Sequence, residues 1–411
     1  MAENLVDFDW WELLADREFL KDPYPALARL QRSGAVHRDA ASGVFFVLSH
    51  QAFNQIAKMP EMGRDTRKWR DGWDRPGAAL EDPIGHGLLR EFTPQMINVD
   101  PPDHGRMRSV YEPAFHATMM AQLAPMIVEE ATRLLDAMPD AGDIEMIEAF
   151  AAPLPLRVLR NLFEMPPEMD AQISQWSAAL IKIGDVMMSK EQKLDAMAAL
   201  TAFKSYLRDH LDARRKSLKD GLIDRVIAAR DDERLDEEET LTNLVSMLVA
   251  GHETTVTLIG NGLLLLLENP SEMARLRADR SLMRTAIEEF LRISPGGNMI
   301  LRVALEDVDL DGVFVPAGSL LIGLIGAVNR DPARFERPET LDIDRRPNPH
   351  FTFGGGAHFC IGAPLARLEA QIGFNLLLDR FASLELAGAP EWRLDRMNAR
   401  GLGQLPVRAA R

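Results

Sequence analysis

The chain has 411 residues, of which 46% are hydrophobic and 27% charged, with 47 basic and 62 acidic side chains and a net charge of −15. This composition excludes a disordered chain, allows two or three domains or one large one, and argues against nucleic acid as a partner because an acidic surface repels phosphates. A single cysteine excludes a disulfide framework and fits a reducing, cytoplasmic setting, while residues 1–11 lack the apolar run of a signal peptide and the apolar stretches 263–267 and 320–328 are too short for a membrane anchor.

Most of the chain reads as helix. Residues 25–34 have a proline start and a glycine stop around apolar residues at helical spacing. Residues 43–48 (GVFFVL) read as a strand paired with 35–38, and 49–59 as a short helix capped by Ser49. From 60 to 98 the pattern dissolves: Gly63, Gly72, Pro76, Gly77, Pro83, Gly85, Gly87 and Pro94 predict one long loop. Its Arg64, Arg67, Lys68, Arg70 and Arg75, with Trp69 and Trp73, fit either a solvated basic loop or a lid that meets a substrate carboxylate.

Asp100-Pro101-Pro102-Asp103-His104 reads as a helix start, with proline in the first turn and carboxylates at the positive end of the helix dipole. His104 and Arg108 share one face, fit either to hold an anion together or to sit on an ordinary solvated surface. Helices continue to about 230, with junctions at 165–167 and 221. Asp236 and Glu239 then form a capping-box pattern that opens a helix of about 30 residues, or about 45 Å, ending before Pro270 and crossing the centre of the molecule.

Ala250-Gly251-His252-Glu253-Thr254-Thr255 interrupts that helix. Glycine costs about 1 kcal/mol there relative to alanine, and threonine bonded back to a carbonyl one turn earlier bends the backbone. The residues fit a local opening in which Glu253 and Thr254 relay protons, or a helix crossing at which Gly251 allows close approach. Glu289 and Arg292, three apart on a helix 282–293, can form an ion pair, and Arg302 begins a strand near 300–304. Further strands are expected at 313–315 and 320–324.

The segment 353–362, FGGGAHFCIG, holds the lone Cys360. Its glycines permit positive φ and close backbone approach. Backbone N–H groups and the helix opening near Ala363-Pro364 favour a thiolate, and a thiolate there can ligate one metal from one side. The plain alternative is an inert buried cysteine.

In these residues, taken in order, the chain resembles the cytochrome P-450 family of haem-thiolate monooxygenases over nearly its whole length. The Cys360 segment matches the family's haem-binding signature, Ala250 to Thr255 its oxygen-activating helix motif, and Glu289 with Arg292 its E-x-x-R pair. The segment containing Asn348-Pro349-His350 is similar to the family's meander, with Arg345 as third member of the Glu289 cluster.

The resemblance implies one domain, 1–411, of the P-450 fold: mainly α with a smaller β-containing lobe (α+β) and a long central helix over a haem. The cofactor would be haem b (iron protoporphyrin IX), with Cys360 as axial thiolate and Phe353, Gly354, Ala250 and Gly251 against it. His104, Arg108, Arg302 and His358 match positions that hold the haem propionates. Glu253 and Thr254 match the acid–alcohol pair that delivers protons during oxygen activation, while Glu289, Arg292 and Arg345 would be structural. Gly296, Gly297, Asn298, Met299 and Leu402 would line the substrate pocket, and the basic loop and the Met-rich helices around 165–188 would line or cover it.

The implied reaction inserts one oxygen atom from O2 into a small, largely apolar substrate. Electrons would come from NAD(P)H through a ferredoxin reductase and a ferredoxin, since no flavin- or nicotinamide-binding domain is recognised here. Family members of this size are mostly monomers. Three rivals remain: a peroxide-driven peroxygenase, against which Glu253-Thr254 argues; a non-catalytic haem-binding or gas-sensing protein; and a cofactor-free protein with a structural cysteine.

Overall fold

The apolar run around Phe46 becomes a strand because both of its faces are buried. Val44, Phe46 and Leu48 pack with Trp10, Leu27, Leu30 and Ile322 on one side, and Phe45 and Val47 pack with Phe53, Ile56 and Leu321 on the other. Side chains alternate at period two, so a sheet covered on both faces needs an unbroken apolar sequence. The computed structural model describes residues 9–185, 187–219 and 221–411, and these group into two compact units.

The first unit comprises residues 9–81, 268–360 and 392–401. Its five-stranded sheet has the order Val36–Arg38, Phe45–Val47, Leu320–Leu324, Met299–Ala304, Met62–Gly63. Val36 pairs antiparallel with Val47, Phe45 runs parallel with Leu321, and Leu301 opposes Ile322. Asp39 shapes the first hairpin, accepting the amide and hydroxyl of Ser42 at 2.7 and 2.6 Å. A second hairpin, Val308–Leu310 with Val313–Val315, turns through Asp311 and Gly312, both at positive φ. The helices Tyr24–Ser33 and His50–Lys58 fall where proline, Ser49 and Gly34 placed them; the Ser49 hydroxyl accepts the Ala52 amide at 3.0 Å.

The second unit comprises 82–267, 361–391 and 402–411. It is helical apart from a small sheet in which Pro406–Ala410 lies between Ala141–Glu145 and Ser383–Leu386. The long helix spans Glu237–Glu268, 32 residues, or about 48 Å. Its capping box is formed: Asp236 accepts the Glu239 amide at 2.7 Å and Glu239 accepts the Asp236 amide at 3.1 Å. Among the described residues no helix is long and apolar enough to cross a membrane.

Two expectations are corrected, and further short strands join those expected. The segment 60–98 is not one loop, because Pro83–Phe92 is a helix whose N-cap Asp82 accepts the Gly85 amide at 2.9 Å; proline at the first helical position and this cap outweigh Gly85 and Gly87. The long helix runs unbroken through 250–255. Thr254 and Thr257 donate to the carbonyls of Ala250 and Glu253 at 2.6 and 3.0 Å without displacing the ladder. The strands at 141–145, 308–310 and beyond 382 are too short and too mixed in polarity to stand out in the sequence.

Candidate functional site

The Cys360 loop is built on glycine. Gly354 and Gly356 have φ of 69° and 67°, a region that strains other residues, and a Cβ on Gly356 would collide with the Ala57 carbonyl oxygen. The Cys360 amide donates to the Phe353 carbonyl at 2.9 Å, closing the loop on itself. The thiol is left exposed. His358 lies in the single turn Gly356–His358, and the Phe353 and Phe359 rings lie 6.2 Å apart edge-on.

Polar residues moor the start of this loop. Asn329, wholly buried, accepts the Phe351 amide at 2.8 Å and donates to the Thr352 hydroxyl at 2.9 Å, and that hydroxyl donates to the Leu291 carbonyl at 2.7 Å. The Asn329 carbonyl also accepts Arg292 Nη1 at 3.0 Å. Sequence reasoning passed over Asn329; its signal was an amide side chain closing the apolar run 320–328.

Arg292 leads to the cluster expected at Glu289. Both side chains have 0% exposure, and Arg292 Nε and Nη2 each reach a Glu289 oxygen at 2.8 Å. Arg345 Nε adds bonds at 3.0 and 3.1 Å, and the Asn348 amide group and the Asp342 backbone N–H each donate at 3.1 Å. A buried ion pair is favourable only when its remaining hydrogen-bonding groups are satisfied, and here both carboxylate oxygens accept several donors.

Arg302 is buried on the strand Met299–Ala304. Its Nη1 and that of Arg64 both donate to the Leu301 carbonyl at 2.8 Å, so two guanidinium groups converge on one oxygen. The other basic-loop arginines are paired within the loop or close to it: Arg67 with Asp65 at 2.7 Å, Arg70 with Asp71 at 3.2 Å, and Arg75 with Glu81. Their charge is spent locally, so the geometry adds nothing to the idea that the loop captures a substrate carboxylate. Asn298 and Met299 precede and begin the same strand as Arg302, and a Cβ on Gly297 would meet nothing within 4 Å, so that face is open.

In the second unit His104 is buried on the helix Asp103–Tyr111, one turn from Arg108. Burial first, then the Arg108 charge, pushes the imidazole below its ordinary pKa; Asp100 and Glu112 oppose this. His104 therefore acts as a neutral donor or acceptor near pH 7, whereas Arg108, 3.7 Å from Glu112, carries charge.

On the long helix Gly251 and Gly260 allow close packing. Cβ atoms there would lie 3.1 Å from Leu159 and 2.7 Å from Ile147. The helix-crossing reading of Gly251 thus describes what the glycine does. The face bearing Ala250 and Thr254 is different. Between Thr240 and Leu267 these two residues alone are exposed, while Glu253 beside them is buried. Leu402 is buried and comes within 4.0 Å of the position a Gly260 Cβ would take.

The Cys360 loop of the first unit fits a haem. One thiol supplies one ligand, so an iron bound by Cys360 must bring its other ligands with it, as a porphyrin does. In the first unit Arg302 offers a cation for a carboxylate, and in the second His104 and Arg108 lie one turn apart on one helix. The glycine positions of the Cys360 loop would not tolerate a side chain at Gly356.

The comparisons with known proteins agree. The family model for cytochrome P450 matches residues 161–408. A biotin biosynthesis cytochrome P450 of Bacillus subtilis is 38% identical over 395 residues, covering 96% of this chain and 98% of the relative. A vitamin D(3) 25-hydroxylase of Pseudonocardia autotrophica is 34% identical over 396 residues, covering 95% and 94%. A solved cytochrome P450 in complex with an acyl carrier protein ligated to hexadec-9Z-enoic acid superposes with a TM-score of 0.87 at 32% identity, covering 95% of this chain and 100% of that one. With a mostly helical fold, small sheets and relatives matched nearly end to end, the chain belongs to the cytochrome P450 family of haem-thiolate monooxygenases.

Proposed function

We propose that the protein inserts one oxygen atom of O2 into a largely apolar organic substrate, and that its 411 residues work as one cytoplasmic domain. Electrons arrive from NAD(P)H through a ferredoxin reductase and a ferredoxin. The observation that carries this reading is the exposed pair Ala250 and Thr254 on an otherwise buried helix, beside the acid Glu253. A small-residue opening with a hydroxyl and a carboxylate suits oxygen chemistry that consumes protons.

A haem bound through the Cys360 thiolate would supply the oxygen activation, with the sulfur as an electron-donating ligand. The chain supplies the rest. Phe353 and Gly354 shape the loop that presents the sulfur, with the Cys360 amide fixed on the Phe353 carbonyl. On the family resemblance, Arg302, His358, His104 and Arg108 would hold the propionates, Arg302 and Arg108 by charge and His104 as a neutral partner. Ala250, small and exposed, leaves room for a small molecule. Thr254, whose proton is directed to the Ala250 carbonyl, would accept a hydrogen bond from a proton-bearing group and hold it in place, and Glu253 would supply the proton that the reaction consumes. Glu289, Arg292 and Arg345 keep the Cys360 loop in register through Asn329.

Gly296, Gly297, Asn298, Met299 and Leu402 border the substrate. The relatives named for vitamin D(3) and bound to a C16 fatty acyl group share long apolar frameworks, which supports an apolar substrate here. The test is reconstitution with NADPH, ferredoxin reductase, ferredoxin and isotopically labelled dioxygen across fatty acids, terpenoids, steroids and aromatic acids. Products carrying one labelled oxygen are expected. Absence of labelled product from every class, or product only when hydrogen peroxide replaces the redox partners, overturns the reading.

A further inference from the structure

In the first unit, residues 392–401 meet 294–298 edge to edge. The Asn298 amide donates to the Asn398 carbonyl at 2.9 Å, its Nδ2 reaches the Met397 carbonyl at 3.4 Å, and the Arg400 amide donates to the Gly296 carbonyl at 3.2 Å. Gly297 and Ala399 form a single antiparallel bridge. Met397 adds an apolar anchor, buried in the cluster against which Met299, Leu301 and Leu394 also pack.

A stack of aromatic rings and guanidinium groups fixes the two ends of this contact. Arg400 is buried, with its guanidinium carbon 3.5 Å from the Trp392 ring centre and 5.3 Å from the Tyr24 ring centre. Its Nη2 and Nε donate to the Lys21 carbonyl at 2.6 and 3.2 Å. Arg330 lies 3.4 Å from the centre of the same Tyr24 ring. It donates to the Ile293 carbonyl at 2.8 Å and pairs with Glu339. Ile293 ends the helix Met283–Ile293, immediately before the 294–298 stretch. One arginine therefore fixes the start of that stretch, and the other fixes the turn that pairs with it. A planar guanidinium both stacks and donates in a fork, which an ammonium cannot do.

We propose that Arg400 is a positioning residue for substrate selection. Clamped between Trp392 and Tyr24 and tied to the Lys21 carbonyl, it sets the turn 392–401 against 296–298 and so fixes the shape of the open space beside Gly297. This rests on the reading of 296–299 as the border of the pocket.

The test uses the haem-loaded protein and the variants Arg400→Gln, Arg400→Lys, Trp392→Leu and Trp392→Phe. Amide hydrogen exchange at Asn298 is read beside the Kd values for hexadec-9Z-enoic acid and vitamin D3 from difference spectra. Exchange is expected to quicken about tenfold in Arg400→Gln, Arg400→Lys and Trp392→Leu, with the ratio of the two Kd values shifting about threefold or more. Trp392→Phe, which keeps an aromatic face, stays close to the unsubstituted protein. If Arg400→Gln does not fold, Trp392→Leu, at a partly exposed residue, reads the same clamp from its other side. Unchanged exchange, or full rescue by lysine, overturns the clamp. Faster exchange with an unchanged Kd ratio overturns the role in selection. Met299→Ala separates the two levels: if it shifts the ratio and Arg400→Gln does not, only the selection role of Arg400 falls; if neither shifts it, the pocket is misplaced and the selection role falls with it.

Discussion

Replacing Glu289 by alanine removes the centre of the buried cluster without touching the proposed haem contacts. Arg292 has no exposed surface and Arg345 little, and both direct guanidinium N–H groups at the lost carboxylate. Arg292 keeps its bonds to the Asn329, Pro338 and Thr340 carbonyls, but these do not neutralise a buried cation. Breaking such a pair by deleting one partner costs about 3–5 kcal/mol, a large share of the roughly 5–15 kcal/mol that holds a domain together. The exposed Arg75–Glu81 pair is the comparison, since losing a surface ion pair costs only about 0–1 kcal/mol. Urea unfolding followed by tryptophan fluorescence and circular dichroism, with the m-value checked for constancy, measures both. Glu289→Ala is expected to lose several kcal/mol and Glu81→Ala almost nothing. A loss below about 1 kcal/mol for Glu289→Ala would refute the argument that uncompensated charge dominates this site.

Thr254→Val keeps the shape and removes the hydroxyl. Product formed per NADPH consumed is expected to drop about a hundredfold at unchanged helix content, and unimpaired coupling would remove Thr254 from the proton route. Glu369, fully buried on the helix Ala363–Arg380, is held protonated because burial raises its pKa well above the ordinary value. The fold thus keeps a proton that the unfolded chain gives up above pH ~4.3, so stability is full below that pH and falls as pH rises, by about 1.4 kcal/mol per unit. Glu369→Gln should flatten that slope between pH 5 and 7, and a parallel stability curve would show that the carboxyl is ionised in the fold. Gly356→Ala puts a side chain at φ 67° and against the Ala57 carbonyl. It is expected to cost about 1–3 kcal/mol and to loosen haem retention in a dialysis assay, whereas native retention and stability would mean that the loop relaxes freely.

The sequence was readable wherever a short-range rule acts alone. Ser49, the Asp236–Glu239 box and the apolar run 43–48 each state their structure locally, and Glu289 and Arg292 lie one turn apart on the same helix. Arg345 needed the family resemblance, because its partner is 56 positions away. Pro83–Phe92 was missed because two glycines speak against a helix more loudly than one aspartate cap speaks for it. The motif 250–255 suggested a break that does not occur: threonine can donate back to a carbonyl and still leave the helical bonds in place. Asn329 and Arg400 were invisible because their partners, Phe351, Thr352, Trp392, Tyr24 and Lys21, are brought to them only by the tertiary fold.

The account turns on the Cys360 sulfur binding haem iron as a thiolate, and the reduced protein under carbon monoxide tests this directly. A strongly red-shifted Soret band is expected for the native chain, lost in a Cys360→Ser variant of unchanged fold. A native spectrum without that band, or a serine variant that retains both the band and turnover, would contradict it.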